Sequence, residues 1–355
     1  MSDGSDPESP FSDSPSATPT PRAYDALLLV SFGGPEGMDD VAPFLENVVR
    51  GKGVPRERLL EAAEHYELFG GVSPLNAEIR ALLAAVVNEF LAGGLSLPVY
   101  WGNRNWHPLL ADTLRQMADD GIRRALAFVT SAFGSYAGCR QYLEDLARAR
   151  DEAGPEAPQV DKLRLFYNHP GFIDAMSDRV GTALGEIPQD RRSAARIIFT
   201  THSLPVVMAN QCDYEKQVRE SCRLVAGQLG RDDWELTYQS RSGPTSQSWL
   251  EPDIGDYLRA RNKREEKTAD VVVAPIGFVC EHMETVYDLD VEVAALCEEL
   301  GVHMVRAAAP GCHPHFVRMI RELVLERLDP SAPRLALGDL GPSHDVCPPD
   351  CCPAD

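Results

Sequence analysis

The sequence has few basic residues and no long apolar run. It holds 34 Lys and Arg against 54 Asp and Glu, which gives a net charge of −20. Nucleic acids and anionic membranes bind basic surfaces, so this balance argues against both as partners. No stretch approaches the roughly 18 apolar residues of a membrane span, and the N-terminus lacks the basic-then-apolar pattern of a signal peptide. We therefore expect a cytoplasmic protein with no membrane span.

The common nucleotide-binding motifs are also missing. The sequence contains neither G-x-G-x-x-G nor G-K-[ST], and the glycine-rich S-F-G-G-P at 31–35 matches neither pattern. A tight turn from strand to helix explains that segment equally well. Nothing in the sequence therefore supports a nucleotide-dependent reaction.

Short apolar runs alternate with amphipathic segments over most of the chain. Residues 1–22 are mostly Ser, Pro, Asp and Thr, and we expect a disordered acidic leader there. The apolar runs are typical of buried parallel strands, and they lie at 26–32, 97–101, 124–130, 163–167, 195–201, 234–240 and 270–276. Helical patterns lie between them at 75–92, 108–119, 171–185, 211–229, 281–300 and 314–327. This alternation predicts an α/β fold of two doubly wound domains, at 23–180 and 181–330.

Two features near predicted strand ends carry candidate chemistry. His202 ends the strand at 195–201, and ligands bind beyond the carboxyl ends of strands in open α/β sheets. Glu284, Asp288 and Glu292 are spaced by four, so they form a column along one face of a helix. A solvated acidic face is the common explanation of such spacing. Because this helix follows a buried strand, however, the column begins at the same sheet edge as His202 and is suited to divalent cations or protons.

The chain resembles the ferrochelatases, which insert ferrous iron into a porphyrin. The resemblance covers about 27–328 and depends mainly on F-T-T-H-S-L-P at 199–205 and P-I-G-F-V-C-E-H-M-E-T-V-Y-D-L-D at 275–290. L-L-L-V-S-F-G-G-P at 27–35 and F-G-G-V-S-P-L at 69–75 add to it. It implies two Rossmann-like domains with parallel sheets and a porphyrin cleft between them.

The resemblance also implies roles for single residues. His202 matches the active-site histidine and Glu284 its partner carboxylate, and both are candidate ligands of the substrate iron. Asp288 and Glu292 match a path for metal or protons on a partly π-helical segment. Candidate porphyrin contacts are Phe32, Arg50, His65, Ser73 and Tyr142. Phe32 stands where several bacterial relatives have tyrosine, which places metal binding on His202 and Glu284. Glu281 has no assigned role, and Asp290 points off the column, where we expect it to be solvated.

The chain ends in a cysteine-rich tail, 331–355. Cys347, Cys351 and Cys352 lie in a polar, Pro-rich segment, and soft thiolate ligands suit an iron–sulfur cluster or zinc. Ferrochelatases of the actinobacterial type hold a 2Fe–2S cluster with one internal and three C-terminal cysteines. The resemblance therefore favours Cys139 as the fourth ligand. Because these cysteines lie far in sequence from the metallation residues, we expect the cluster to be structural and to dock the tail on the first domain.

The sequence leaves several functions open. The resemblance favours coproporphyrin III as the substrate, with ferrous iron, and protoporphyrin IX is the alternative. A cobalt or nickel chelatase acting on a sirohydrochlorin-like ring shares the two-domain plan, and a haem or iron carrier would use His202 as an axial ligand. We also expect a monomer.

Overall fold

Two parallel four-stranded sheets form the frame of the protein. The computed structural model describes residues 24–51, 53–242, 246–263, 269–348 and 351–353, so the predicted acidic leader lies outside the described residues. Strand orders are β2-β1-β3-β4 in the first sheet and β6-β5-β7-β8 in the second, so both halves repeat one winding. The predicted doubly wound α/β class is confirmed. Among the described residues, no helix has the length and apolar character needed to span a membrane.

The first sheet contains β1 (Ala26–Ser31), β2 (Val99–Asn103), β3 (Arg124–Val129) and β4 (Gln159–Lys162). Every residue of β1 is buried, as its uninterrupted apolar sequence predicts. The helices of this half are α1 (Met38–Val48), α2 (Arg56–Glu67), α3 (Leu75–Ala92), α4 (Leu110–Asp119), α5 (Gln141–Ala153) and a π-helix (Tyr136–Arg140).

The second sheet contains β5 (Arg196–His202), β6 (Trp234–Gln239), β7 (Asp270–Ala274) and β8 (His303–Arg306). Its strands are linked by α8 (Val206–Ala209), α9 (Tyr214–Gln228), α10 (Ile254–Asn262), α11 (Met283–Thr285), a second π-helix (Val286–Val293) and α12 (Ala294–Leu300). Before it come α6 (Pro170–Glu186) and α7 (Gln189–Arg192), and after it α13 (Pro314–Leu328). The helix predicted at 281–300 is therefore three consecutive pieces, of which the middle one is wider than an α-helix.

The strand predicted at 163–167 is wrong. The fourth strand of the first sheet is β4, at Gln159–Lys162. Residues 163–167 are buried in the core instead, where Phe166 stacks on Phe128 of β3 and packs edge-on against Phe316 of α13. The sequence also failed to reveal β8, a short edge strand with a polar sequence.

Helices α6 and α13 join the two halves. They pack against each other, α13 also packs against α3, and α6 packs against α9, β7 and β8. The predicted domain boundary at residue 180 lies inside α6. Because α6 packs on the second half, we propose that the boundary lies between β4 and α6.

The cysteine-bearing tail crosses the seam between the halves. The Arg164 side chain donates to the Leu335 carbonyl at 2.7 Å, and the Asn168 side chain donates to the Gly341 carbonyl at 2.8 Å. Beyond these contacts, the tail reaches Cys139 in the first half and Cys212 in the second. The tail was expected on the first domain, but it contacts both halves.

Candidate active site

His202 and Glu284 face each other at the carboxyl edge of the second sheet. His202 is the last residue of β5, and Glu284 lies in α11, which follows the neighbouring strand β7. Their Nε2 and Oε2 atoms are 3.8 Å apart. His202 Nδ1 contacts the Ser203 carbonyl, which can only accept, so Nδ1 carries the ring proton. Nε2 is then unprotonated, and its lone pair is on the side of the ring that faces Glu284. Two electron-rich atoms therefore face each other at a distance too long for a hydrogen bond.

Gly277 lets the two segments of this pair come together. Its N–H donates to the Thr200 carbonyl at 3.3 Å. A Cβ at this position would lie 2.1 Å from the Thr201 hydroxyl oxygen, well inside contact distance. Only a residue without a side chain lets the β7 loop approach the end of β5 this closely.

Asp288 follows Glu284 on the second π-helix. It accepts hydrogen bonds from the Gln239 side chain at 3.2 Å and from the Ser240 hydroxyl. Ser240 has a left-handed backbone, with φ of 59°. The pKa of Asp288 is raised to about 6, chiefly by burial; the negative charges of Glu284 and Glu292 also raise it, and the two hydrogen bonds lower it. The three carboxylates thus interact as one acidic column, and its outer member, Glu292, is exposed.

Two nearby carboxylates belong to a separate ion-pair network. Arg306 of β8 donates from Nη1 to both oxygens of Glu281 at 3.0 Å and from Nε to Asp290. Glu281 also accepts the Ala309 N–H at 2.9 Å. The expectation that Asp290 is merely solvated is wrong, because the basic residue that pairs with it comes from a strand the sequence did not reveal. Glu281, left unassigned, ties the β7 loop to β8.

A cavity of about 550 Å³ opens between the two halves in front of this pair. That volume lies within the range of cofactor and ligand pockets. Of the predicted porphyrin contacts, Phe32, Ser73 and Tyr142 line the cavity, as do His202 and Glu284.

The other two predicted contacts lie outside the lining residues. Arg50 is exposed and donates to the Asn47 side chain. His65 stacks on Tyr287, with ring centroids 3.7 Å apart, so α2 meets the second π-helix beside the cavity. Asp288 and Glu292 also lie outside the lining, behind Glu284.

Several lining residues escaped sequence analysis. Arg104 follows β2, pairs with Asp145 and stacks 4.3 Å from the Tyr142 ring centre. Its place after a strand was the one available signal. Tyr66 also lines the cavity and provides a phenol hydroxyl, which Phe32 lacks. Burial and the negative charge of Glu284 raise the pKa of Tyr66. Three hydroxyl residues at the end of β3 and beyond add donors to the same wall, namely Thr130, Ser131 and Ser135.

The predicted cysteine ligands lie together at the seam. The Cys139 thiol donates to Cys347, which lowers the pKa of Cys347 to about 7. The sulfurs of Cys351 and Cys352 are 3.7 Å apart. His344, Cys347 and Cys351 place a ligand atom each within 4.8 Å of one another. Four converging thiols fit a 2Fe–2S cluster, and the added imidazole also fits zinc.

Comparison with known proteins gives one consistent result. The family model described as ferrochelatase matches residues 24–328. A ferrochelatase from Rhodopirellula baltica is 59% identical over 329 residues, which cover 93% of each chain. A coproporphyrin III ferrochelatase from Streptomyces coelicolor is 51% identical over 353 residues, which cover 93% of this chain and 94% of the relative.

A solved structure supports the fold. SirB from Bacillus subtilis with Fe3+ is 12% identical with a TM-score of 0.55, and the match covers 88% of this chain and 99% of SirB. Identity that low shows the fold alone. Family membership follows from the family model and the two relatives: this chain belongs to the ferrochelatase family, and it is a lyase that inserts a metal ion into a porphyrin.

Proposed function

We propose that this enzyme inserts Fe²⁺ into coproporphyrin III, forms Fe-coproporphyrin III and releases two protons, as a step of haem biosynthesis. Relatives about 50% identical carry the name coproporphyrin III ferrochelatase, which supports this choice of porphyrin. The observation that carries the proposal is the 3.8 Å approach of His202 Nε2 and Glu284 Oε2 at the cavity wall. A cation bound between them would satisfy both.

The reaction is a balanced exchange without electron transfer. The free-base porphyrin loses two pyrrole protons, and Fe²⁺ takes their place on the four ring nitrogens. The lone pair of His202 Nε2 can accept a proton or bind the incoming iron, and the Glu284 carboxylate can do the other task.

The acidic column gives protons or iron a route to this pair. Asp288, with a pKa of about 6, exchanges a proton readily near neutral pH. Glu292 is exposed at the outer end of the column, where it can exchange with bulk water. We propose that Glu284, Asp288 and Glu292 act in this order from the ring outwards.

The opposite wall is suited to the acidic rim of the porphyrin. It offers the Arg104 guanidinium and hydroxyl donors from Ser73, Thr130, Ser131, Ser135 and Tyr142. Hydrogen bonds to propionates and apolar contact with Phe32 supply binding energy away from the ring nitrogens, and this energy can offset bending of the macrocycle. Arg50 and His65 do not line the cavity, so we propose that they contact the propionates at its outer edge.

The test is a metallation assay with Fe²⁺ that compares coproporphyrin III with protoporphyrin IX. We expect a higher kcat/KM with coproporphyrin III. His202→Ala and Glu284→Gln should each lower kcat at least about 100-fold, in the range typical of a general base. The control is Glu298→Gln, which makes the same substitution at an exposed residue of α12 and should leave kcat unchanged. Full turnover by His202→Ala, or a preference for protoporphyrin IX, would overturn the corresponding part of the proposal.

We further propose that Cys139, Cys347, Cys351 and Cys352 hold a 2Fe–2S cluster that fastens the tail across the seam. The close approach of these thiols supports the proposal. Bound to iron, the four thiolates would be cross-linked by metal–sulfur bonds, which are stronger than the weak hydrogen bonds between thiols. Cys351→Ser should abolish visible absorption and lower the Tm, whereas Cys312→Ser, outside the group, should do neither. Stoichiometric zinc without visible absorption would refute the cluster and favour a zinc site that includes His344.

A further inference from the structure

The segment between His202 and Tyr214 forms a continuous part of the cavity wall. Leu204, Pro205 and Met208 line the cavity, as do the two residues that bound the segment. Its first half is held by backbone hydrogen bonds: the Val206 N–H donates to the Ser248 carbonyl and the Leu250 N–H to the Leu204 carbonyl, each at 2.9 Å. Its second half, 207–213, is held by local backbone hydrogen bonds of α8 and the turn after it, such as that from the Asn210 N–H to the Val206 carbonyl at 2.9 Å.

Tyr214 connects the end of this segment back to the reacting histidine. Its hydroxyl donates to the His202 carbonyl at 2.9 Å and lies 2.6 Å from the Thr201 hydroxyl. Its ring packs edge-on against Phe133 of the first half, with centroids 6.1 Å apart. Tyr214 is buried, so a displacement of this side chain moves the backbone that carries His202.

Cys212 is where the tail reaches this segment from outside. The Cys212 thiol donates to the Met208 carbonyl at 3.3 Å, and its sulfur accepts the thiol hydrogen of Cys352. Cys352 has a left-handed backbone, with φ of 52°, which non-glycine residues adopt at a cost. The tail therefore contacts the cavity wall two residues before Tyr214.

We propose that Cys212 is a positioning residue, through which the tail fixes Tyr214 and with it the orientation of His202 towards Glu284. The inference rests on the proposed role of His202. It deepens that proposal by giving the tail a task in the reaction beyond stability. If Cys352 binds a metal as a thiolate it has no hydrogen to donate, and the contact is then kept by the Cys212 thiol donating to the Cys352 sulfur in place of the Met208 carbonyl.

The test compares Cys212→Ala with Cys222→Ala in the full-length enzyme. Cys222 is a fully buried thiol in the next helix, so its variant reports on general loss of packing. We expect Cys212→Ala to lower kcat at least about tenfold, since small misplacements of catalytic groups can cost about 100-fold, while the KM for porphyrin and the visible absorption of the tail stay within about twofold. Amide hydrogen exchange at 207–214 should accelerate only in Cys212→Ala.

A double-mutant cycle with Tyr214→Phe separates positioning from independent damage. If Cys212 acts through Tyr214, the double variant should lose no more kcat than the more severe single variant. Additive losses, or kinetics and exchange in Cys212→Ala equal to those in Cys222→Ala, would overturn the inference. A wild-type enzyme that metallates no porphyrin would instead overturn the proposed function, and hydrogen exchange would still decide whether Cys212 holds the segment.

Discussion

Asp288 gives the sharpest link between this structure and a measurable quantity. Burial raises its pKa from 3.8 to about 6. The folded protein therefore binds this proton more tightly than the unfolded chain does, and stability falls as the pH rises through that window. A shift of about 2 pKa units corresponds to at most about 3 kcal/mol. Asp288→Asn removes the charge and keeps the shape, so it should remove this penalty.

The measurement is the free energy of urea unfolding for wild type and Asp288→Asn between about pH 4.5 and pH 7.5. The stability gained by the variant should be small at the acidic end and should rise towards about 1–3 kcal/mol above pH 7. Glu292→Gln, on the same face but exposed, should change stability by less than about 0.5 kcal/mol throughout. A gain that is flat with pH, or largest at low pH, would show that Asp288 is not a buried carboxyl of raised pKa.

Two further variants test other contacts around the cavity. Arg306→Met leaves the largely buried Glu281 without its ion pair and should lower the free energy of urea unfolding by about 3 kcal/mol. Arg58→Met removes an exposed ion pair with Glu61 and should lower it by almost nothing. Equal losses in the two variants would contradict the burial argument. His65→Ala removes the ring stacked on Tyr287, worth about 1 kcal/mol, and should speed porphyrin release several-fold in stopped-flow fluorescence with little change in Tm. His65→Phe keeps the stack but loses the propionate contact, so it should restore slow release in part, and unchanged release in the alanine variant would show that the stack does not restrain the ligand.

Six of the eight strands in the two sheets could be predicted from the sequence, including the edge strands β2 and β6, while the edge strands β4 and β8 could not. The uninterrupted apolar runs of β1 and β7 match full burial. By contrast, β4 and β8 have four residues each, are partly exposed and carry polar side chains, and the apolar residues after β4 are buried by packing against helices from other parts of the chain, as Phe166 packs against Phe316. An apolar run therefore indicates a buried segment, but it does not show that the segment is a strand.

The reacting pair could also be predicted from local sequence. His202 and Glu284 each follow an apolar strand, and neighbouring parallel strands bring their carboxyl ends together. The partner of Asp290 could not be found in this way, since Arg306 lies in a strand that the sequence conceals. Cys212 likewise acquires its contact only when the tail folds back over the seam. Such contacts depend on packing between distant segments, which no local pattern encodes.

The glycine at the base of the site sets a limit on how the enzyme can change. Because a methyl group at Gly277 would collide with Thr201, the loop that carries Glu284 rests directly on the strand that carries His202. Larger or differently decorated rings must therefore be accommodated by the opposite wall, where hydroxyl-bearing loops can vary in length and sequence. The distance between the two reacting groups is a property of the backbone, and substrate preference can evolve without disturbing it.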